Sequence, residues 1–222
     1  MGSGRDAAAP LPAMPAVQPS AGGLGEAARA YHEAPVREQG EVMDSMDTPA
    51  ERGNHPTKWI ESTGGPFVIV PAAHAADWQG IEGEDYDEAC LVEDYLGRVE
   101  FGPAERKVPG IVVADEPLPA TYLPDLQCLL QWSCAPSEQA LIDGARSSFE
   151  GIDDWHRGPV LDVHDQLIMF DATAPGHSLE QGETLPVSLP AGSYRFHTAD
   201  FEVGGDVAGR LHAIRPLDPH HA

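Results

Sequence analysis

The sequence predicts an α+β fold: mainly antiparallel sheet with a few short helices, preceded by a disordered N-terminal tail. Three observations predict it. Short apolar runs of strand length, rich in β-branched residues, are bounded by Gly, Pro and Asp. The strands follow one another through local turns rather than alternating with long amphipathic helices, which favours antiparallel pairing. The opening segment, "MGSGRDAAAPLPAMPAVQPSAGGLG", is too poor in large apolar side chains to offset the entropy of ordering it. These features divide the chain into a low-complexity extension over 1–56, a single domain over 57–217 and a frayed end over 218–222.

The elements follow in order. Residues 25–34 and 36–46 have the composition of marginal helices, the first stopped by Pro35. Trp59 and Ile60 begin the domain as a short edge segment. Gly64, Gly65 and Pro66 then form a turn that most residues could not adopt. The run "PFVIVP" that follows reads as a buried strand. "AAHAADWQ" (72–79) suits one or two helical turns, and Tyr86–Val92 a short helix. Strands are expected over 97–102, 110–117 and 126–134. Ser137 is placed to cap a helix reaching Phe149, with Ala140, Leu141, Ala145 and Phe149 as its apolar stripe. Five further strands are expected over 158–163, 166–172, 183–189, 192–203 and 208–217. In "SYRFHTADFE" the alternation of Tyr194, Phe196 and Thr198 reaches Phe201 only through a slip or bulge.

Charge dominates the composition. The chain has 36 acids and 13 bases, a formal net of −23. Residues 59–222 hold 28 of those acids and 8 of the bases, so the domain carries a net of −20. Such a field repels nucleic acid and anionic membrane and attracts a basic partner. The plain alternative is that the acidity serves only solubility. No run of 18 apolar residues exists, and prolines break the N-terminal apolar stretch, so the expected location is cytoplasmic. Cys90, Cys128 and Cys134 are odd in number and lack C-x-x-C spacing, which predicts reduced, mostly buried thiols.

Motifs of catalysis are missing from the sequence: no G-x-S-x-G, P-loop, G-x-G-x-x-G or H-E-x-x-H occurs. The expectation is no enzyme, no cofactor and no metal. His156, His164, His177 and Asp162 are scattered without ligand spacing. "EGEDYDEACLVED" lacks the central Gly and the closing Glu of a calcium loop. Asp115 and Glu116, at a strand end, are the best-placed carboxylate pair for an acid–base role with a histidine; a turn before Pro117 explains them as well. The segment 77–94 is more distinctive. Asp77, Glu82, Glu84, Asp85, Asp87, Glu88, Glu93 and Asp94 are eight acids with no base among them. Trp78 and Tyr86 lie inside it as candidate interface anchors, or as core residues beneath a solvated face. Asp115 and Glu116 form a second candidate patch.

Several stretches resemble one family in order and spacing: "WIESTGGPFVIVP", "WQG" (78–80), "EDYDEAC" (84–90), "YLGRVEFG" (95–102), "VVADEP" (112–117) with Thr121, "LLQW" (129–132), "LIMFDATAPG" and "LPAGSYRFHTADFE". The likeness is to the immunity protein 21 family of bacterial polymorphic toxin systems, over roughly 57–217. It implies a small cytoplasmic inhibitor that binds a cognate toxin and has no enzymatic activity. A basic toxin, such as a nuclease, suits the acidic field. The alternatives from the residues themselves are a small enzyme using Asp115 and Glu116, or a β-rich domain that binds a small ligand.

Overall fold

The computed structural model describes residues 57–114, 116–180 and 182–217. The helices expected over 25–34 and 36–46, the end 218–222 and Asp115 lie outside the described residues. In chain order the elements are β1 (Phe67–Pro71), α1 (Asp85–Cys90), β2 (Leu96–Phe101), β3 (Val108–Val113), β4 (Ala120–Leu123) and β5 (Cys128–Cys134). Then come α2 (Glu138–Phe149), β6 (His156–Val163), β7 (Leu167–Asp171), β8 (Leu185–Val187), β9 (Gly192–Val203) and β10 (Val207–Pro216). The strands form two five-stranded sheets, ordered β2-β3-β1-β7-β8 and β4-β5-β10-β9-β6. Every strand pair is antiparallel, as the turn-separated runs predict.

The apolar run of β1 is continuous because both of its faces are covered. Phe67 and Ile69 point between the sheets, beside Leu129 of β5, Phe196 of β9 and Ile214 of β10. Val68 and Val70 point outward, against Trp78, Ala89 and Phe170. Phe67, Val68, Ile69 and Val70 are fully buried, each worth about 1.5–3 kcal/mol of transfer free energy. The second sheet repeats the arrangement. Leu129 faces inward, while Cys128 and Leu130 face outward to Leu141, Ile142 and Ala145 of α2. Ser137 caps that helix as expected, its Oγ accepting from the Ala140 N–H at 3.2 Å.

The segment leading into β1 is held by named contacts. Ile60 bridges Ala120 through two 2.9 Å backbone hydrogen bonds, joining the segment before β1 to β4. Ser62 Oγ then accepts from the N–H groups of Gly64 and Gly65. Thr63 donates its N–H and its hydroxyl to Asp171 at 2.7 and 2.8 Å. Burial alone would push the Asp171 carboxyl pKa up. The donors of Thr63 and Thr173 outweigh it and hold that pKa below the ordinary value. Gly64 sits at φ +122°, and a Cβ on Gly65 would lie 2.9 Å from the Tyr86 ring. Gly64 is therefore required by its backbone conformation, whereas a side chain at Gly65 would have to displace the Tyr86 ring.

Three expectations need correction. Phe201 does not follow a bulge in β9: its register with β10 runs unbroken from Tyr194 to Val203. Phe201 simply lies on the opposite face from Tyr194 and Phe196, packed toward α2. The strand β4 has no counterpart among the expected elements, because "ATYL" is short and flanked by prolines. Of the three free thiols only Cys128 is buried; Cys90 and Cys134 are exposed.

Candidate functional site

The acidic segment 77–94 forms the cover over the outer face of the first sheet. Two 3₁₀ turns, Ala72–Asp77 and Gly80–Glu82, lead into α1. Small and aromatic side chains attach this cover to the sheet. Trp78 is fully buried, edge-on to Phe101 at 5.5 Å and to Phe170 at 6.5 Å. Its indole N–H donates to the Ala172 carbonyl at 2.9 Å. Trp78 is thus a core residue and not an interface anchor: no partner reaches it without opening the cover. Tyr86 is half-buried, its ring over Gly65. The neighbouring Cys90 side chain raises the phenol pKa.

The eight carboxylates fall into two groups. Asp77, Asp85 and Asp94 hold local structure. Asp77 meets His74 at 3.1 Å and Arg106 at 3.4 Å. Asp85 accepts from the Gln79 N–H at 2.7 Å. Asp94 bonds His156 Nε2 at 2.8 Å and accepts from the Tyr95 N–H, and these two bonds hold its pKa below the usual carboxylate range. Glu82 stands 3.9 Å from His177. Glu84, Asp87, Glu88 and Glu93 are exposed and make no side-chain hydrogen bond or ion pair among the described residues. Asp85, Asp87 and Glu88 occupy the first turn of α1, where the helix dipole favours negative charge.

Sequence reasoning missed the apolar part of this face. Leu91 is 72% exposed and Ile81 66% exposed, the two most exposed large hydrophobic side chains among the described residues. Leu91 lines a groove of about 740 Å³ between α1 and β2, with Glu84, Asp85 and Glu88 on one wall and Arg98 and Lys107 on the other. No periodicity in "EGEDYDEACLVED" marks Leu91 as exposed; the signal is only that α1 ends one residue before it.

A family model described as immunity protein 21 matches residues 58–206. The chain belongs to the immunity protein 21 family. No curated protein and no solved structure matches it. The matched span of this immunity protein runs from the residue before Trp59 to the turn before β10, and so contains the whole acidic cover.

Of the second candidate patch, only Glu116 is among the described residues. Glu116 is exposed, and its backbone carbonyl accepts from Gln131 Nε2 at 3.4 Å. Through Gln131 it connects to His212, whose Nε2 meets Gln131 Oε1 at 2.9 Å and whose Nδ1 meets Thr198 Oγ1 at 2.8 Å. Both ring nitrogens are therefore engaged. Burial, aided by the Arg210 charge, pushes the His212 pKa down to about 3, so the ring is neutral at physiological pH. His212 knits three strands together inside the immunity protein and has no nitrogen left for proton transfer. His156, His177 and Asp162 do not converge either: they partner Asp94, Glu82 and Ser193 respectively. Among the described residues no group of three or more His, Cys, Asp or Glu is placed to hold a metal ion. No helix among them is long and apolar enough to cross a membrane.

Proposed function

We propose that this immunity protein binds and neutralises a cognate toxin of a polymorphic toxin system in the cytoplasm, by occlusion and without catalysis. The observation that carries the reading is the pairing of unneutralised carboxylates with exposed apolar side chains within the cover, closest in the groove where Leu91 lies with Glu84 and Glu88. Glu84, Asp87 and Glu88 supply the field; Leu91 and Ile81 supply the surface that desolvates on contact. A basic toxin, such as a nuclease, is the partner this chemistry suits. Electrostatic steering raises association rates to about 10⁸–10⁹ M⁻¹s⁻¹ at low salt, and speed matters when an antidote competes with the toxin's target. Tyr86, at the margin of the face, contributes its exposed edge.

The test uses the toxin encoded beside the immunity gene. Reversing Glu84, Asp87 and Glu88 to Lys slows association and flattens its salt dependence. Leu91→Ala instead speeds dissociation. Asp85 is left unchanged because it caps the Gln79 N–H. If the triple reversal and Leu91→Ala both leave protection and binding kinetics unchanged, the cover is only a solvated face.

A further inference from the structure

The bases of this acidic domain are placed as unevenly as the acids. Arg98, Arg106, Arg146 and Arg210 each pair with a carboxylate. Arg157, Arg195 and Arg215 form no ion pair among the described residues. These three lie together on the outer face of the second sheet. Arg195 of β9 stands directly opposite Arg215 of β10. Arg157 of β6 stands directly opposite His197 of β9, which faces Ala213 on the other side. Like charges directly opposite across antiparallel strands destabilise the pair. The nearest carboxylate in register, Asp162, sits opposite Ser193 and accepts from its hydroxyl.

Local structure holds this cluster in position. The β6–β9 register shifts between Arg157 and Val160, and a bulge of this kind re-aims side chains. Arg195 Nη1 donates to the Gly158 carbonyl at that bulge, at 3.2 Å. The Arg215 guanidinium lies 4.7 Å over the Trp155 ring. Arg195 Nε and His197 Nδ1 are both buried without a hydrogen-bond partner. Buried polar groups are rarely left unpaired unless something outside the chain pairs them. Burial, then the charges of Arg215, Arg157 and Arg195, lower the His197 pKa, as expected of a ring facing cations with no counter-ion.

We propose that Arg157, Arg195, His197 and Arg215 form a binding site for a small oxyanion. Two positioned guanidinium groups offer forked N–H donors that match such an anion. The anion relieves the cross-strand repulsion and accepts from the exposed guanidinium groups of Arg157 and Arg215. The site lies on a different sheet from the acidic cover and does not rest on the toxin reading.

The experiment is a titration of the full chain with inorganic phosphate, followed by the NMR resonances of the His197 ring, against sodium chloride at equal ionic strength. The expected result is a saturable shift with phosphate, a raised His197 pKa in the bound state, and no saturation with chloride. Arg195→Gln and Arg215→Gln should each weaken phosphate about tenfold. Arg146→Gln, which alters a guanidinium paired with Asp125, should not. Acetate in a parallel arm tells whether a planar carboxylate or only a tetrahedral anion is accepted; saturation by either supports the site. Identical, non-saturating responses to phosphate, acetate and chloride in the unaltered protein overturn it, whether or not the variants fold.

Discussion

His212 should make this protein acid-sensitive in a pH window where most carboxylates are still ionised. The perturbation is pH alone. Unfolded, the imidazole titrates near its ordinary value of about 6.5. Folded, its pKa is pushed down to about 3. Below pH 6.5 the unfolded chain therefore binds a proton that the folded chain refuses. Stability falls as pH drops through that window, and the loss is complete only near pH 3. Linkage gives about 2 kcal/mol lost between pH 7 and pH 5, and about 3 kcal/mol by pH 4. The assay is urea denaturation at pH 7, 6, 5 and 4, on the native chain and on His212→Gln. His197 and the acidic face also titrate, and relief of acidic self-repulsion on protonation works in the opposite direction. The measured quantity is thus the difference in pH slope between the two proteins, in which those contributions cancel. His212→Gln should be less stable at pH 7, since Thr198 and Gln131 lose a fitted partner, and flatter below pH 6.5. Parallel curves for the two proteins would mean that His212 accepts its proton in the folded state, and that the Thr198–His212–Gln131 network is looser than drawn.

Three further outcomes follow from the packing. Trp78→Ala should cost about 3–5 kcal/mol through the cavity it leaves; Trp78→Phe should cost about 1–3 kcal/mol by stranding the Ala172 carbonyl, both read by urea denaturation. A Trp78→Ala protein that stays fully stable but loses its partner would restore Trp78 as a surface anchor. Gly64→Val should cost about 1–3 kcal/mol from backbone strain, with nothing nearby to clash; Gly65→Val should displace the Tyr86 ring, which near-ultraviolet circular dichroism would register. Ser137→Ala should cost about 0.5–2 kcal/mol, as loss of a helix cap does, and a neutral result would show the cap to be replaced by solvent.

The parts of the fold legible in the sequence are those where local chemistry and tertiary burial agree. The run 67–70 is apolar on both faces because both faces are covered, and a run of that kind between prolines reads as a strand without further help. Ser137 announces its helix through its own hydroxyl. The misreadings share a cause. Trp78 sits among carboxylates in sequence but points away from them in space, and proximity along a chain says nothing about side-chain direction in 3₁₀ turns. Phe201 looked like a break in alternation because its partner on that face is α2, some fifty residues earlier. The exposed position of Leu91 and the meeting of Arg157, Arg195 and Arg215 depend on helix termination and strand register, which composition does not encode. The acidity of the cover was legible; its division into structural and unattached carboxylates was not.

That division bears on what the charge is for. Solubility needs net charge and is indifferent to where it sits. Glu84, Asp87 and Glu88 repel one another within one helical turn, and the helix start offsets this only in part, by about 0.3–1 kcal/mol per favourable charge. Solubility would be served equally by spreading them. A solvated face also gains nothing from presenting Leu91 and Ile81 to water, since each exposed apolar side chain forgoes about 1.5–3 kcal/mol of burial. Concentrated charge and exposed apolar surface are each unfavourable to the isolated domain. On the proposed function, a cationic surface with an apolar centre that closes over this cover would neutralise the carboxylates and desolvate the exposed leucine and isoleucine, turning both costs into gains.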